Sequence, residues 1–359
     1  MTTTQHYIGV DVGGTKILAG ASTAEGEILA RHKERTERDS TEKIVAQIGG
    51  AIEAAMDGAN LKIGDIGGIA LGVPGVVETA SGFVVFTPNA PLSGVPLGDL
   101  LRERFAVPIT VGNDVDIGVV GETWLGAARE AHSAFGIFVG TGIGGGLVIN
   151  DQLIEGFRGL GGEIGHFMIP LDADAITGIL RRKHTFLEDL CSRTAIENQL
   201  RHAILHEKEK SDLVDIVGDK KLRRIRSKHL KEAIKRDDKV VMEVLRRTSY
   251  LLGLATASVL HVVDPEVIIF GGGVIEACGD FMLPLIEKTA RKVAMPGTGQ
   301  PLNIVRSQLG DDAIVLGGVA LLNEKVPPPH RQTSRSLLKA HGDSQAPRAQ
   351  VDKPLSAEK

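Results

Sequence analysis

Two segments of this sequence predict the same local structure, in which a glycine-rich turn joins two β-strands. The apolar runs 7–10 and 17–21 flank residues 11–16, whose sequence is Asp-Val-Gly-Gly-Thr-Lys. In the second segment, the apolar residues 136–149 are interrupted at residues 140–146 by five glycines. Glycine leaves the backbone N–H groups of a turn uncovered, so that a phosphate oxygen can bind to several of them at once. A P-loop is excluded, because that motif leads into a helix and has the sequence GxxxxGK[ST].

The remaining pattern predicts an α/β protein whose second half repeats the first. Apolar residues at helical spacing alternate along the chain with short, continuous apolar runs. The predicted helices cover residues 41–56, 97–105, 114 to about 128, 187–206, 238–263, 281–293 and 311–322, and the further strands cover 28–29, 66–73, 109–111 and 267–270. We therefore expect two duplicated α/β domains around a cleft. The expected domains are residues 1–120 and 121–310, with helix 311–324 packed back onto the first and a disordered polar tail at 326–359.

Composition excludes several classes of protein. The 359 residues carry a net charge of −4, and 42% of them are hydrophobic. No apolar run approaches the ~20 residues that a membrane span needs. Two cysteines cannot form a disulfide framework, and the polar N-terminus does not resemble a signal peptide. We therefore expect a cytoplasmic protein whose partners include neither nucleic acid nor a membrane.

One basic segment, residues 220–239, allows two interpretations. Its lysine and arginine residues could form the exposed face of a helix or a patch that binds nucleic acid. No Phe, Tyr or Trp lies among them, although such residues usually stack on the bases of single-stranded nucleic acid. We therefore interpret the segment as a solvated helix face.

Asp11 and the turn that follows it offer a carboxylate, two glycines, a hydroxyl and a cation. The carboxylate can hold Mg²⁺ through water, because Mg²⁺ prefers oxygen ligands and retains part of its hydration shell. Gly13, Gly14, Thr15 and Lys16 are candidate ligands of phosphate groups. A plain hairpin turn is the alternative, since Gly-Gly is common in such turns. The presence of a second glycine-rich turn favours the phosphate role.

Asn113 and Asp114 lie where a predicted strand ends and a helix begins, which is the place at which α/β folds bind ligands. Either residue could instead serve only as the N-terminal cap of that helix. In the functional interpretation, Asp114 is the base that accepts a proton from a sugar hydroxyl. An ordinary aspartate, with a pKa of about 3.9, is too weak to deprotonate a free alcohol. In a loose phosphoryl-transfer transition state the proton leaves late, so that a well-placed carboxylate suffices.

Glu163 and His166 lie in a further glycine-rich stretch, residues 161–166. A carboxylate accepts hydrogen bonds and an imidazole accepts or donates them, so the pair suits a polyhydroxy ligand. One segment for phosphate and one for hydroxyl groups together indicate phosphoryl transfer to a sugar. Asp116 and Glu122 are interpreted as structural carboxylates.

These motifs, together with residues 72–75, 113–114 and 271–273, occur in the order found in the ROK family of sugar kinases, which the sequence resembles over residues 7–324. The resemblance implies the actin-like ATPase (ribonuclease H-like) fold, ATP and Mg²⁺ as cofactors, a homodimer, and phosphorylation of a hexose, with glucose as the first candidate. It also implies that ATP contacts Asp11 (through Mg²⁺), Gly13, Gly14, Thr15, Lys16, Gly140, Thr141, Gly142, Gly144, Gly145, Gly271, Gly272 and Gly273. The residues that it implies for the sugar are Asn89, Asn113, Asp114, Glu163, His166 and Glu188.

Other members of the family define the alternatives. Some phosphorylate fructose, mannose or an N-acetylhexosamine, and others are sugar-sensing regulators without catalysis. The repressors carry an N-terminal helix-turn-helix, whereas the first strand is predicted here by Tyr7. The intact Asp114 also favours an enzyme.

The sequence departs from the family pattern in two places. Most members have a Cys-x-Cys-x4-Cys zinc motif, and its positions hold Ile179, Arg181 and Phe186 when the motif is aligned on Glu188. Structural Zn²⁺ needs four nitrogen or sulfur ligands, so we predict a protein without zinc, in which His166 is free to bind the sugar. The second departure is the loop 88–94, which lacks the Trp that many members have there.

Overall fold

The structure, a computed structural model, describes residues 5–170, 184–295 and 302–324. Its strands are β1 (His6–Val12), β2 (Lys16–Thr23), β3 (Ile28–Arg35), β4 (Ile66–Val73), β5 (Val76–Glu78), β6 (Phe83–Phe86), β7 (Ile109–Asn113), β8 (Ala134–Val139), β9 (Ile143–Ile149), β10 (Gln152–Leu153), β11 (Met168–Pro170), β12 (His184–Phe186), β13 (Val267–Gly271) and β14 (Ile304–Arg306). Its α-helices are α1 (Thr41–Gly58), α2 (Leu97–Phe105), α3 (Asp114–Trp124), α4 (Leu187–Cys191), α5 (Arg193–Arg201), α6 (Leu213–Val217), α7 (Ser227–Lys235), α8 (Lys239–Val262), α9 (Gly273–Val293) and α10 (Ala313–Leu322). The predicted tail and the zinc-motif positions Ile179 and Arg181 lie outside the described residues.

Two five-stranded sheets share one topology. The strand order is β3-β2-β1-β4-β7 in the first sheet and β10-β9-β8-β13-β14 in the second. In each sheet the glycine-rich turn joins an antiparallel pair, β1 with β2 or β8 with β9. The central strand then pairs in parallel with the strand on its other side, β4 or β13. The predicted duplicated α/β fold is therefore confirmed.

Helix α10 packs on strands β1 and β4 of the first sheet and against α3. Glycines allow this close approach. A Cβ atom on Gly9 would collide with the backbone of Val315, and one on Gly317 would collide with the carbonyl oxygen of Ile117. The described chain therefore ends beside the sheet with which it begins.

Glu122 joins the two segments through which the chain passes between the sheets. Its buried carboxylate accepts a hydrogen bond from the N–H of Ala127 (2.8 Å), on the way to β8. It also accepts from the N–H groups of Gln308 and Leu309 (both 2.9 Å), on the way from β14 to α10. Three N–H donors satisfy a buried carboxylate without a cation, so Glu122 has a structural role.

The second glycine-rich turn is shorter than predicted. Strand β9 begins at Ile143, so that residues 140–142 form the turn and residues 144–146 belong to the strand. A Cβ atom on Gly144 would lie 2.5 Å from Cγ2 of Val115 in α3. None of the three strand glycines has a positive φ. Gly144 and Gly146 are required because α3 crosses the strand closely, and Gly145 because the backbone of Gly162 lies against it. The turn itself does not need an unusual backbone conformation at these three positions.

Several helices also differ from their predicted bounds. The predicted helix 187–206 is interrupted at Ser192, whose hydroxyl accepts a hydrogen bond from the N–H of Ala195 and caps α5. Helix α3 ends at Trp124 and not near residue 128, and α9 begins at Gly273 and not at residue 281. Helix ends are less clearly marked in a sequence than the apolar periodicity of the helix interior.

Each sheet contributes to its own apolar core. In the basic segment, Leu222, Ile225 and Leu230 are buried in the second core, whereas Arg223 and Arg224 are exposed. This part of the chain therefore has one packed and one solvated face. Within residues 5–170, 184–295 and 302–324, no helix combines the length and apolar character needed to cross a membrane.

Candidate active site

The turn between β1 and β2 is held in place by hydrogen bonds that other residues donate to its carbonyl oxygens. The hydroxyl of Thr36 donates to the carbonyl oxygen of Gly13 (2.6 Å), and the N–H of Thr36 donates to that of Thr15 (3.2 Å). The guanidinium of Arg38 donates to the carbonyl oxygen of Gly14. Because the carbonyl oxygens are engaged by the segment between β3 and α1, the N–H groups of the turn are the part suited to an anion.

The turn between β8 and β9 is held in the same way. The N–H of Arg193 donates to the carbonyl oxygen of Gly140 (2.9 Å), and the hydroxyl of Thr194 donates to that of Thr141 (2.8 Å). The carbonyl oxygen of Gly142 accepts from the N–H of Gly140 (2.9 Å). The Arg193 guanidinium also donates to the Thr141 hydroxyl (2.7 Å), which places a positive charge beside this turn. Three of the predicted phosphate ligands therefore lie in the turn itself, namely Gly140, Thr141 and Gly142.

Gly144 and Gly145 lie in β9 and are covered by neighbouring backbone and side chains. A Cβ atom on Gly145 would collide with the carbonyl oxygen of Gly162. The strand glycines therefore bring helix α3 and residues 161–166, which are predicted to bind sugar, against the second hairpin. Their direct role as phosphate ligands stays a prediction.

Asp11 is the penultimate residue of β1 and is 8% exposed. Burial, and next the negative charge of Asp114, raise the pKa of Asp11 to about 7, while Lys16 opposes the rise. Lys16 itself forms an ion pair with Asp311, which also pairs with Lys33 at 2.8 Å. A buried carboxylate beside a second carboxylate is stabilised by a divalent cation, so this environment fits the Mg²⁺ expected at Asp11.

Asp114 is the first residue of α3, and Asn113 caps that helix. The amide oxygen of Asn113 accepts from the N–H groups of Val115 (2.8 Å) and Asp116 (3.1 Å), and its Nδ2 donates to the carbonyl oxygen of Gly75 (3.0 Å). Burial is the main cause that raises the pKa of Asp114 to about 6, and the negative charge of Glu163 adds to it. Asn113 therefore does cap the helix and fixes its first turn, where Asp114 lies. The raised pKa of Asp114 makes its carboxylate a stronger base.

Glu163 and His166 lie next to each other, and Glu188 lies within electrostatic reach of Glu163. The Nδ1 atom of His166 is 3.7 Å from Oε2 of Glu163, and the His166 ring centroid is 5.4 Å from that of Phe186. Burial raises the pKa of Glu163; His166 opposes this rise and Glu188 adds to it. Oε2 of Glu188 accepts a hydrogen bond from the N–H of Ile143 (2.7 Å), next to the second turn. The predicted sugar ligands thus adjoin the predicted phosphate ligands.

The remaining predicted ligands lie close to one of the two turns. Asn89 is exposed and packs on the first turn, since a Cβ atom on Gly14 would lie 2.7 Å from Cβ of Asn89. Gly271 ends β13, and Gly272 and Gly273 lead directly into α9. Gly272 has a φ of 81°, and a Cβ atom there would lie 2.6 Å from the carbonyl oxygen of Val139. These glycines bring the start of α9 beside the end of β8, which suits a bound nucleotide.

The structure adds residues that the sequence analysis did not connect with the site. No sequence signal marked the residues that donate hydrogen bonds to the carbonyl oxygens of the two turns, because these contacts depend on tertiary packing. These residues are Thr36, Arg38, Arg193 and Thr194. Asp116 is 5% exposed, and within the described residues its Oδ1 atom has no hydrogen-bond partner. Burial, and then the charges of nearby carboxylates, raise the pKa of Asp116 well above its ordinary value.

Comparison with known proteins identifies the family of this chain. A model of the ROK family matches residues 7–325. A glucokinase of Halalkalibacterium halodurans is 32% identical over 320 residues, which cover 89% of this chain and 95% of the relative. An N-acetyl-D-glucosamine kinase of Vibrio cholerae is 30% identical over 327 residues, which cover 89% of this chain and 100% of the relative. The crystal structure of a ROK family glucokinase from Streptomyces griseus, in complex with glucose and AMPPNP, superposes with a TM-score of 0.73 at 30% identity and covers 88% of this chain and 98% of that one. The chain described here, with two anchored glycine turns beside a cluster of carboxylates, is a member of the ROK family.

Proposed function

We propose that the protein is a hexose kinase that transfers the γ-phosphoryl group of ATP to the 6-hydroxyl of glucose. One observation carries the proposal. Asp114 is a carboxylate of raised pKa, and its charge interacts with Asp11 beside the first turn and with Glu163 among the sugar-ligand candidates. The glucokinase relatives, and the ROK glucokinase solved with glucose and AMPPNP, support glucose and ATP as substrates.

Asp114 is the proposed general base. It would accept the proton of the 6-hydroxyl as the hydroxyl oxygen forms its bond to the γ-phosphorus. The bond between that phosphorus and the β,γ-bridging oxygen breaks, so that ADP and glucose 6-phosphate are formed and the proton passes from Asp114 to solvent. Asn89, Asn113, Glu163, His166 and Glu188 are the proposed partners of the sugar hydroxyl groups, which would fix the distance between the reacting atoms.

The two glycine turns are the proposed phosphate sites. Their N–H groups are oriented before the ligand binds, and such preorganised donors stabilise negative charge that develops in the transition state. Asp11 is the proposed ligand of Mg²⁺, through water. When bound, Mg²⁺ would neutralise part of the negative charge of the phosphate groups. Lys16 would contribute positive charge near the first turn while it remains paired with Asp311.

We further propose that the protein works in the cytoplasm, where ATP is available, and that it forms a homodimer. Both cysteines of the sequence, Cys191 and Cys278, are buried and free, which suits a reducing compartment. Light scattering coupled to size-exclusion chromatography measures the oligomeric state directly, and a mass of one chain would contradict the dimer.

A coupled kinase assay tests the proposed function. The purified protein is supplied with glucose, fructose, mannose, N-acetylglucosamine and N-acetylmannosamine, each with ATP, ADP or polyphosphate as donor. We expect the highest kcat/KM with glucose and ATP. A preference for an N-acetylhexosamine, which the Vibrio cholerae relative acts on by its name, would correct the substrate. Binding of sugar without phosphorylation of any of them would favour a sugar-sensing regulator.

A further inference from the structure

The carboxylate of Glu188 lies directly on the second glycine turn. Its Oε2 atom accepts the N–H of Ile143 at 2.7 Å. A Cβ atom on Gly142 would collide with that oxygen and would lie 3.1 Å from Cδ of Glu188. Residue 142 therefore has no side chain at the place where the carboxylate lies.

The same side chain also lies within electrostatic reach of Glu163, one of the predicted sugar ligands. The negative charge of Glu188 contributes to the raised pKa of Glu163, so the two carboxylates lie within electrostatic reach. Glu188 is half-buried, and it is the second residue of α4. One oxygen is engaged by the turn, which leaves the other oxygen with capacity to accept from a hydroxyl group.

Helices α4 and α5 connect these contacts through hydrogen bonds at their N-terminal ends. The N–H of Leu187 donates to the carbonyl oxygen of Phe167 (2.9 Å), which fixes the start of α4 beside the sugar-binding stretch. At the start of α5, Arg193 and Thr194 hold the carbonyl oxygens of Gly140 and Thr141. The turn is thus bonded to this helix pair at its carbonyl oxygens and, through Glu188, at an N–H group.

We propose that Glu188 couples the sugar site to the phosphate turn, and that residue 142 is glycine because a side chain there would displace the Glu188 carboxylate. The inference rests on the proposed function. A sugar hydroxyl that donates to one oxygen of Glu188 fixes the other oxygen against the N–H of Ile143. The sugar thereby reduces the motion that remains in the anchored turn before the nucleotide binds, so that each ligand raises the affinity for the other by the same factor.

Two alanine variants of the same turn test the coupling. Neither Gly142 nor Gly140 has a positive φ, so alanine can adopt both backbone conformations. In Gly142→Ala the new methyl group meets the end of the flexible Glu188 side chain. In the matched control, Gly140→Ala, the nearest atom would be 3.9 Å away, at the carbonyl oxygen of Gly142. Both variants add one methyl group to the turn, but only one of them displaces Glu188. Thermal unfolding establishes that both remain folded.

Calorimetric titration with glucose, with and without AMPPNP and Mg²⁺, measures the coupling. For the wild type we expect glucose affinity to rise about 5-fold or more when the nucleotide is present, as is typical of coupled sites. In Gly142→Ala this ratio should fall towards one, and glucose affinity without nucleotide should fall about 10-fold, the effect of a disturbed hydrogen bond to a charged group. Residue 140 is itself a proposed phosphate ligand, so Gly140→Ala is compared with the wild type only in its glucose affinity, whatever its affinity for the nucleotide. It should keep the wild-type glucose affinity without nucleotide, and the wild-type ratio once AMPPNP is saturating.

Three results would overturn the coupling: a wild-type ratio near one, an unchanged ratio in Gly142→Ala, or an equal loss in Gly140→Ala. The last result would show that any methyl group in the turn has the effect, whatever the position of Glu188. Failure of the wild type to bind or phosphorylate any hexose in the kinase assay is a separate outcome. It would overturn the proposed function, and the coupling with it.

Discussion

The pKa of Asp114 predicts how the activity depends on pH. Burial, with a contribution from Glu163, raises this pKa from 3.8 to about 6. A general base acts only when it is ionised, so the active fraction of the enzyme should fall as the pH falls through about 6. An aspartate of ordinary pKa would remain ionised to below pH 5 and would give no such loss.

The size of the effect follows from the pKa. With a pKa of about 6, roughly one tenth of the molecules have an ionised Asp114 at pH 5 and roughly nine tenths at pH 7. The value of kcat/KM should therefore rise about 10-fold between these two pH values, with a limiting slope of about one decade per pH unit.

The assay measures kcat/KM for glucose at saturating Mg·ATP. Saturation matters because Asp11, with a pKa of about 7, also titrates in this range, and its protonation would weaken Mg²⁺ binding. Asp114→Asn keeps the shape of the side chain and removes the base. We expect it to lower kcat by at least ~10² while glucose binding is retained, and to remove the pH dependence near 6.

Two results would refute this reasoning. A wild-type profile that is flat from pH 5 to pH 7 would show that the base is not a carboxylate of raised pKa. Turnover of Asp114→Asn near the wild-type rate would show that Asp114 is not the base at all. Calorimetry with glucose confirms in either case that the site is folded.

Three further predictions concern packing, buried charge and metal content. Gly144→Val would press a side chain against Val115, so we expect a loss of about 1–3 kcal/mol in the free energy of unfolding, measured with denaturant. Full stability together with weakened ATP binding would instead indicate that Gly144 contacts phosphate directly. Because the pKa of Asp116 is raised, the folded protein keeps a proton that the unfolded chain releases above pH ~4. The free energy of unfolding should therefore fall with rising pH, by up to about 1.4 kcal/mol per pH unit relative to Asp116→Asn. Parallel curves of unfolding free energy against pH for the two proteins would contradict this. Activity should be insensitive to a zinc-selective chelator, and one tightly held zinc per chain in elemental analysis would show that ligands other than the missing cysteines converge there.

Local sequence signals predicted much of the fold. Strand β4 and helix α2 have the bounds that were predicted, because a continuous apolar run and a helical apolar period mark them clearly. The repeated strand–turn–strand segments also predicted the duplicated topology. Such patterns are carried by neighbouring residues and can therefore be recognised without knowledge of tertiary contacts.

What the sequence could not predict depends on contacts between distant segments. Residues 144–146 looked like part of a turn, because a glycine needed for close packing cannot be distinguished in sequence from one needed for backbone freedom. Arg38 and Thr194 anchor the turns from segments far along the chain. The raised pKa of Asp114 likewise depends on burial, which residue identity alone does not reveal.

The anchored carbonyl oxygens have a consequence for the peptide planes of the two turns. A glycine-rich turn can rotate its peptide groups with little steric hindrance, and such a flip would turn a carbonyl oxygen towards a phosphate and repel it. In the first turn the bonds from Thr36 and Arg38 oppose a flip, and in the second turn those from Arg193 and Thr194 do so. Glycine thus supplies the open surface, while residues outside each turn supply the rigidity that glycine lacks.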